Sequence, residues 1–296
     1  MLVKLTDNRI RIGARLEITL ERTIRVPENA TLHYLPPSLG EFPVRDVRTL
    51  RGRVPKDWTG FVVPVYQREA LWIRFGAPRG DWTAIEPSAG GVNILTGEPS
   101  RGRLQADPQN YIVCPKQLWI DGILTAEGSV RQFVAVPLGA GLSVGEQMGL
   151  GAAPALSLTA FVPRRGIKLP RFVPEVAQES VMGLGAGGTV RQKIYRDPLR
   201  KPAWDPQPAA SIDIRLVNSR DWAAMTGEAP PPSPISARDY SDWGLPWFEL
   251  YDEDEAAIGS TRAFDKLRGV TGGDEPEITP PIVRPIFRKR SRREEF

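Results

Sequence analysis

Proline and glycine are spread along the whole chain, and their spacing is the strongest constraint on the fold. The 296 residues include 29 prolines and 28 glycines. Each of these residues in a helix interior costs roughly 1–3 kcal/mol relative to alanine. Long helices are therefore disfavoured, whereas short strands joined by turns tolerate this spacing.

Alternating apolar and polar residues mark the candidate strands. Every second residue from Ile10 to Leu20 is apolar, which is typical of a half-buried strand. The other predicted strands are Phe61–Tyr66, Ala70–Phe75, Trp82–Ile85, Val92–Leu95, Tyr111–Cys114, Val130–Val136, Leu156–Val162, Val190–Tyr195 and Ser211–Val217. Pro64 predicts an edge position or a bulge, and Asp121-Gly122 predicts a hairpin turn. The pattern predicts a mainly β fold, either a β-sandwich or two packed antiparallel β units.

The C-terminal quarter of the chain differs from the β-rich part. Ser219 and Ser260 are predicted to cap two short helices that give an irregular, partly helical extension. We divide the chain into an N-terminal β unit (1–100), a second β unit (101–218), an aromatic- and proline-rich extension (219–273) and a flexible basic tail (274–296).

A five-residue repeat occurs twice, as Gly-Ser-Val-Arg-Gln at 128–132 and Gly-Thr-Val-Arg-Gln at 188–192. Each copy leads into a predicted strand. The repeat marks two related β units, equivalent strands of two sheets, or a coincidence.

The chain contains one histidine, His33, and one cysteine, Cys114. These counts exclude an internal disulfide, a structural zinc site built from four Cys or His ligands, and an iron–sulfur cluster. A carboxylate-only Ca²⁺ or Mg²⁺ site stays open, and we predict no cofactor. The N-terminus lacks an apolar signal segment, and no apolar run is long enough to span a membrane. We therefore expect a cytoplasmic protein without a membrane span.

Two short motifs match enzyme signatures without their required context. Residues 141–145 fit the nucleophile-elbow pattern around Ser143, but no histidine follows in the chain. Residues 183–188 fit a dinucleotide-binding pattern, but a strand-like segment follows where a helix is needed. We interpret both as loops, the second with an anion-binding nest beside Arg191 as an alternative. Cys114 and His33 are predicted to be structural.

The most distinctive segment is residues 239–255, which holds seven acids, five aromatic residues and no base. Its acids suggest a weak metal site at Asp252 and Asp254. The alternative is that Trp243, Trp247 and Phe248 dock on the β body and leave an acidic turn in solvent. Near residue 120, we expect a cross-strand pair between Asp121 and Arg131.

Four stretches carry a resemblance to a known group of proteins. They are Gln117-Leu-Trp-Ile-Asp-Gly-Ile123, Val130-Arg-Gln-Phe-Val-Ala-Val-Pro-Leu-Gly139, Pro234-Ile-Ser-Ala237, and the run from Tyr240 through Trp-Gly-Leu-Pro-Trp-Phe to Glu253. Together they resemble an uncharacterised family of β-rich bacterial and fungal proteins over roughly residues 90–270. The resemblance implies a shared fold and no activity, cofactor or catalytic residue.

The leading functional prediction is a non-enzymatic binding or self-assembly protein with a protein partner or a second copy of itself. The segment 229–251 has the aromatic composition of an interface. The predicted binding residues are Trp119, Arg131, Trp243, Trp247, Phe248 and Tyr251.

Two alternatives are kept. A carbohydrate-active or Ca²⁺-dependent enzyme would use the carboxylates of Asp121, Asp239, Asp242 and Glu249. A nucleic-acid-binding protein would use only the basic tail. Residues 281–296 carry six bases and two acids, which accounts for the whole formal net charge of +4. The bases are Arg284, Arg288, Lys289, Arg290, Arg292 and Arg293.

Overall fold

The computed structural model describes residues 1–29, 32–77, 81–125, 129–150, 154–170, 189–249, 257–270 and 283–285. In chain order, the strands are β1 Val3–Thr6, β2 Arg9–Ile12, β3 Leu16–Thr23, β4 Leu32–His33, β5 Ser38–Glu41, β6 Arg45–Asp46, β7 Phe61–Val65, β8 Ala70–Gly76, β9 Thr83–Ala89, β10 Val92–Asn93, β11 Ile112–Cys114, β12 Trp119–Ile120, β13 Gly122–Leu124, β14 Val130–Gln132, β15 Leu156–Phe161, β16 Thr189–Val190, β17 Ala210–Asn218, β18 Trp247–Glu249 and β19 Val283–Pro285. The α-helices are α1 Val144–Gln147, α2 Ser219–Thr226 and α3 Ala237–Asp242, and two 3₁₀ turns cover Val47–Leu50 and Lys201–Ala203.

Three sheets and one small strand pair organise these elements. Sheet A has the order β1-β2-β3-β8-β12, with β5 beside β3. Sheet B has the order β10-β9-β15-β17-β7-β6, with β11 beside β9, and sheet C has the order β13-β14-β16-β4. The strands β18 and β19 pair separately. The prediction of a mainly β fold is confirmed, although the pairs β17–β7 and β16–β4 are parallel.

A shared apolar cluster joins the three sheets. Ile18 and Ile73 of sheet A, Ile85 and Ile214 of sheet B, and Ile123 of sheet C are all fully buried in it. Burying one such side chain stabilises the fold by roughly 1.5–3 kcal/mol. The division into units at 1–100 and 101–218 stays a prediction, and sheets A and B each combine strands from both ranges.

Two local predictions in the β-rich part were wrong in detail. The alternation from Ile10 to Leu20 is a hairpin, because the chain turns at Gly13, whose φ is +58°. The pattern runs through the turn because Ile12 and Leu16 both point into the core. Asp121-Gly122 is not a hairpin turn, since the chain passes there from β12 in sheet A to β13 in sheet C.

The Val-Arg-Gln repeat lies on neighbouring strands of one sheet. β14 and β16 are antiparallel, and Val130 is paired with Val190. The two buried glutamine side chains have the same role, since each accepts a hydrogen bond from a backbone N–H. Gln132 accepts a hydrogen bond from the Val26 N–H at 2.8 Å, and Gln192 accepts one from the Asp121 N–H at 2.9 Å. Each glutamine therefore satisfies backbone groups that no strand partner reaches.

Only the first of the two predicted helices forms. Helix α2 is capped by Asn218 rather than Ser219 and ends at Gly227 in the left-handed conformation. Residues 262–266 form a turn instead of a helix. Of the helices in the described ranges, none has the length and hydropathy needed to cross a membrane.

Candidate ligand-binding site

Sheet B has a gap on one side of β17. Strand β15 begins at Leu156, which pairs with Ile214, whereas β17 continues to Asn218. Beyond Ile214, β17 keeps only β7 as a paired neighbour among the described strands. The sheet is therefore open beside residues 215–218.

A cleft of about 390 Å³ occupies this gap. That volume lies within the range of small-molecule sites, which is roughly 300–1,000 Å³. Its walls come from all three sheets, from the segment 133–147 that includes α1, and from residues 267–270. Most lining side chains are apolar, including Val65, Leu71, Ala89, Ile123, Phe133 and Leu216.

The described charged residues that line the cleft all have the same sign. Arg131, Arg215 and Arg268 line it, and no aspartate or glutamate of the described part of the chain does. Positive charges in an apolar wall favour an anionic group on any occupant.

Arg215 is the least satisfied of these arginines. Its guanidinium carbon lies 5.1 Å from the ring centre of Trp58, which is a cation–π contact. Its Nε is buried and has no hydrogen-bond partner in the described part of the chain. Among the described residues, no carboxylate forms an ion pair with Arg215.

The other two arginines are hydrogen-bonded to backbone carbonyl groups. Arg131 donates to the Leu267 carbonyl at 2.6 Å, and Arg268 donates to the Gly141 carbonyl at 2.8 Å. Burial lowers the pKa of Arg131, and the nearby carboxylate of Glu28 opposes that shift. Both arginines thus hold the segment around 267–268 against the cleft.

One wall of the cleft is the loop that matches the nucleophile-elbow pattern. Ser143 caps α1, and its hydroxyl donates to Glu146 Oε2 at 2.6 Å. Glu146 also accepts from the Gly139 N–H at 2.6 Å, and these bonds lower the pKa of Glu146 to about 2. Gly145 is required by close contact, because an added Cβ would lie 2.5 Å from the Gly90 carbonyl oxygen. The motif therefore builds a capped turn against β9, and Ser143 serves as its helix cap.

A buried ion pair lies next to the cleft. Arg22 binds Glu69 through Nε at 2.7 Å and through Nη2 at 2.5 Å, and Nη2 also donates to the Pro232 carbonyl at 2.6 Å. Tyr66, which lines the cleft, donates to the Pro231 carbonyl at 2.8 Å. The proline-rich segment 229–235 is thus attached to the β body through two of its carbonyl groups.

Trp119 and Asp121 are hydrogen-bonded to each other. Trp119 Nε1 donates to Asp121 Oδ2 at 2.9 Å, whereas Asp121 Oδ1 has no hydrogen-bond partner. Burial raises the pKa of Asp121 well above its ordinary value. The expected pair between Asp121 and Arg131 does not form. Arg131 is paired with Ile123 across β13 and β14, and its guanidinium donates to the Leu267 carbonyl instead.

The acidic aromatic segment is divided between the surface and the core. Asp239 completes the capping box of α3, and Asp242 lies at the exposed end of that helix. Trp247 and Phe248 are buried, as the docking interpretation predicts, whereas 61% of Trp243 is exposed. The backbone of Glu249 lies in β18. Asp121 is buried, so it does not share a solvent-facing surface with Asp239 and Asp242.

Several predicted residues lie outside the described residues: Tyr251, Asp252, Asp254, the glycine-rich motif at 183–188 and the tail residues Arg288, Lys289, Arg290, Arg292 and Arg293. Within the described ranges, no group of three or more His, Cys, Asp or Glu side chains is placed to hold a metal ion. Cys114 is buried and donates to the Gln117 carbonyl, and His33 is bonded to Asn29 Oδ1 at 2.8 Å.

Of the predicted binding residues that the structure describes, only Arg131 lines the cleft. No pattern in the sequence indicated Trp58 or Arg215. Arg215 occupies a polar position of an alternating strand, where an arginine ordinarily faces solvent. Arg215 lines a cleft here because β15 begins only at Leu156, opposite Ile214, and leaves no described strand beside residue 215 on that side.

Comparisons with protein-family models, with curated proteins and with solved structures find no match to this chain. The resemblance to the β-rich bacterial and fungal family stays a prediction.

Proposed function

We propose that this chain is a non-enzymatic binding protein that takes a small, largely apolar molecule into the cleft of sheet B. The observation that carries the proposal is a cleft of about 390 Å³ whose described lining residues are mostly apolar and include no carboxylate. Apolar clefts with a few polar groups are the ordinary form of small-molecule sites.

Binding of Nile red, an uncharged apolar dye, tests this proposal. Ala155 is half-buried and lines the cleft, so Ala155→Trp fills the space without removing a core side chain. The matched control is Ala224→Trp, because Ala224 is exposed on α2 and does not line the cleft. We expect the wild type and Ala224→Trp to bind the dye alike, and Ala155→Trp to weaken binding about tenfold or more.

A second filling variant, Leu142→Trp, keeps the test decisive if Ala155→Trp does not fold. Circular dichroism and the urea midpoint identify the folded variants. Absence of dye binding to the wild type, or equal binding by folded Ala155→Trp and Ala224→Trp, would overturn the proposal.

Self-association is a second candidate, favoured by one observation. Trp243 is 61% exposed and Leu245 is 37% exposed at the end of α3. Large exposed aromatic side chains are enriched in protein interfaces. Light scattering at increasing concentration should give a dimer or larger species for the wild type and a smaller one for Trp243→Ser. A monomer at every concentration would exclude this candidate.

A further inference from the structure

We propose that the molecule bound in the cleft carries one carboxylate, and that Arg215 holds it. This inference rests on the proposed function and adds the chemical class of the ligand. It starts from a polar group for which the described protein offers no partner, the buried Nε of Arg215.

Buried donors in folded proteins almost always have an acceptor, because an unmade hydrogen bond costs the full desolvation of the donor. Arg215 is half-buried, and the described residues provide neither a hydrogen-bond acceptor for its Nε nor an ion-pair partner. A missing acceptor beside an apolar cleft is what a binding site shows when its acceptor belongs to the ligand.

The contact with Trp58 leaves the donors of Arg215 available. The guanidinium carbon lies over the Trp58 ring, and a cation–π contact attracts the charge without supplying an oxygen acceptor for the N–H groups. Trp58 therefore holds the guanidinium in place and leaves it in need of a hydrogen-bond acceptor. This arrangement reduces the entropy that the side chain would lose when it binds an anion.

The other lining residues favour a ligand that carries one anionic group. No acid among the described lining residues would repel it, and Arg268, which is bound to the Gly141 carbonyl, adds positive potential. The charge of Arg131 is partly offset by the nearby carboxylate of Glu28. Of the three described lining arginines, Arg215 is the one without a hydrogen-bond or ion-pair partner among the described residues, so one anionic group satisfies the site. A carboxylate matches the planar fork of a guanidinium with two parallel hydrogen bonds.

Matched ligands that differ only in the head group test the inference. We would measure displacement of Nile red by decanoic acid, 1-decanol and decyl phosphate, below their micelle concentrations. The wild type should bind decanoate about tenfold or more tightly than decanol, and more tightly than decyl phosphate. Equal binding of decanoate and decanol would overturn the inference and leave the proposed function intact. Tighter binding of decyl phosphate would overturn the carboxylate assignment, and failure of all three ligands and of the dye would remove the proposed function as well.

Substitution at Arg215 then identifies the residue. Arg215→Met should bind decanol as the wild type does but lose the preference for decanoate, and Arg215→Lys should keep part of it. Arg220→Met is the matched control, because Arg220 is 84% exposed on α2. A decanoate preference that survives in Arg215→Met would contradict the assignment of Arg215.

Discussion

Arg22 in sheet A and Arg215 in sheet B both make a cation–π contact with an aromatic ring, but they differ in the hydrogen-bond acceptors that their N–H groups reach. The guanidinium of Arg22 lies 5.7 Å from the ring centre of Phe42 and is bonded to Glu69 and to the Pro232 carbonyl. Arg215 lies 5.1 Å from the ring centre of Trp58, and its Nε has no hydrogen-bond partner among the described residues. The first arginine completes an internal network that attaches the proline-rich segment to the β body. The same residue type therefore has a structural role in sheet A, whereas in sheet B we propose a binding role for it.

The largest effect that separates the two arginines is on stability. Arg22→Met leaves Glu69, which is 1% exposed, without its counter-charge, and we expect the free energy of unfolding to fall by about 3–5 kcal/mol. Arg215→Met breaks no ion pair with the described residues, so it should change the free energy by less than about 1 kcal/mol. Urea unfolding measures both.

The double variant Arg22→Met/Glu69→Met should recover part of the loss, because both charges are then removed together. A loss for Arg215→Met as large as that for Arg22→Met would remove the difference between the two sites.

Asp121 is a buried acid outside the cleft, and it extends the comparison from the two arginines to a carboxylate. Burial raises its pKa in the folded state, so above about pH 4 the folded protein binds more protons than the unfolded chain. The free energy of unfolding should therefore fall as pH rises through that range, by at most about 1.4 kcal/mol per pH unit from this group.

Asp121→Asn should reduce this slope when urea unfolding is measured between pH 4 and the alkaline range in about one-unit steps. Burial also raises the pKa of Glu21, Glu69 and Glu86, so part of the slope should remain. Asp57→Asn, at an exposed position, is the control and should leave the slope unchanged. Identical slopes for Asp121→Asn and the wild type would contradict the prediction.

A smaller effect is expected at Tyr66, which attaches the proline-rich segment to the β body together with Arg22. Tyr66→Phe removes the hydrogen bond to the Pro231 carbonyl and should lower the free energy of unfolding by about 0.5–1.5 kcal/mol. Tyr34→Phe, at a side chain that is 42% exposed, is the matched control in the same urea experiment. Equal unfolding free energies for the wild type and Tyr66→Phe would show that the anchor does not stabilise the segment.

Residue patterns predicted the class of fold well and its connections poorly. The alternation of Ile10, Ile12, Leu16, Ile18 and Leu20 identifies buried positions correctly on both sides of an unpredicted turn. Period-two alternation reports which face a residue occupies, but it does not report which strand lies beside it. The passage of the chain between sheets at Asp121 was therefore missed.

The candidate site was almost invisible in the sequence for the same reason. Arg215 and Trp58 are 157 positions apart and carry no motif. Their contact depends on the parallel pairing of β17 with β7, and the cleft depends on where β15 begins. The predicted motif around Ser143 did mark one wall of the cleft, although its glycines serve a tight turn and a close backbone contact.

We propose that Arg215, unlike Arg22, keeps its N–H donors for a ligand carboxylate. The decisive experiment is a crystal structure of the protein with decanoate. We expect the carboxylate at about 2.7–2.9 Å from Arg215 Nε and one of its Nη atoms, with the alkyl chain in the cleft of sheet B. A carboxylate that points into solvent or binds elsewhere, with Nε of Arg215 still without an acceptor, would contradict it.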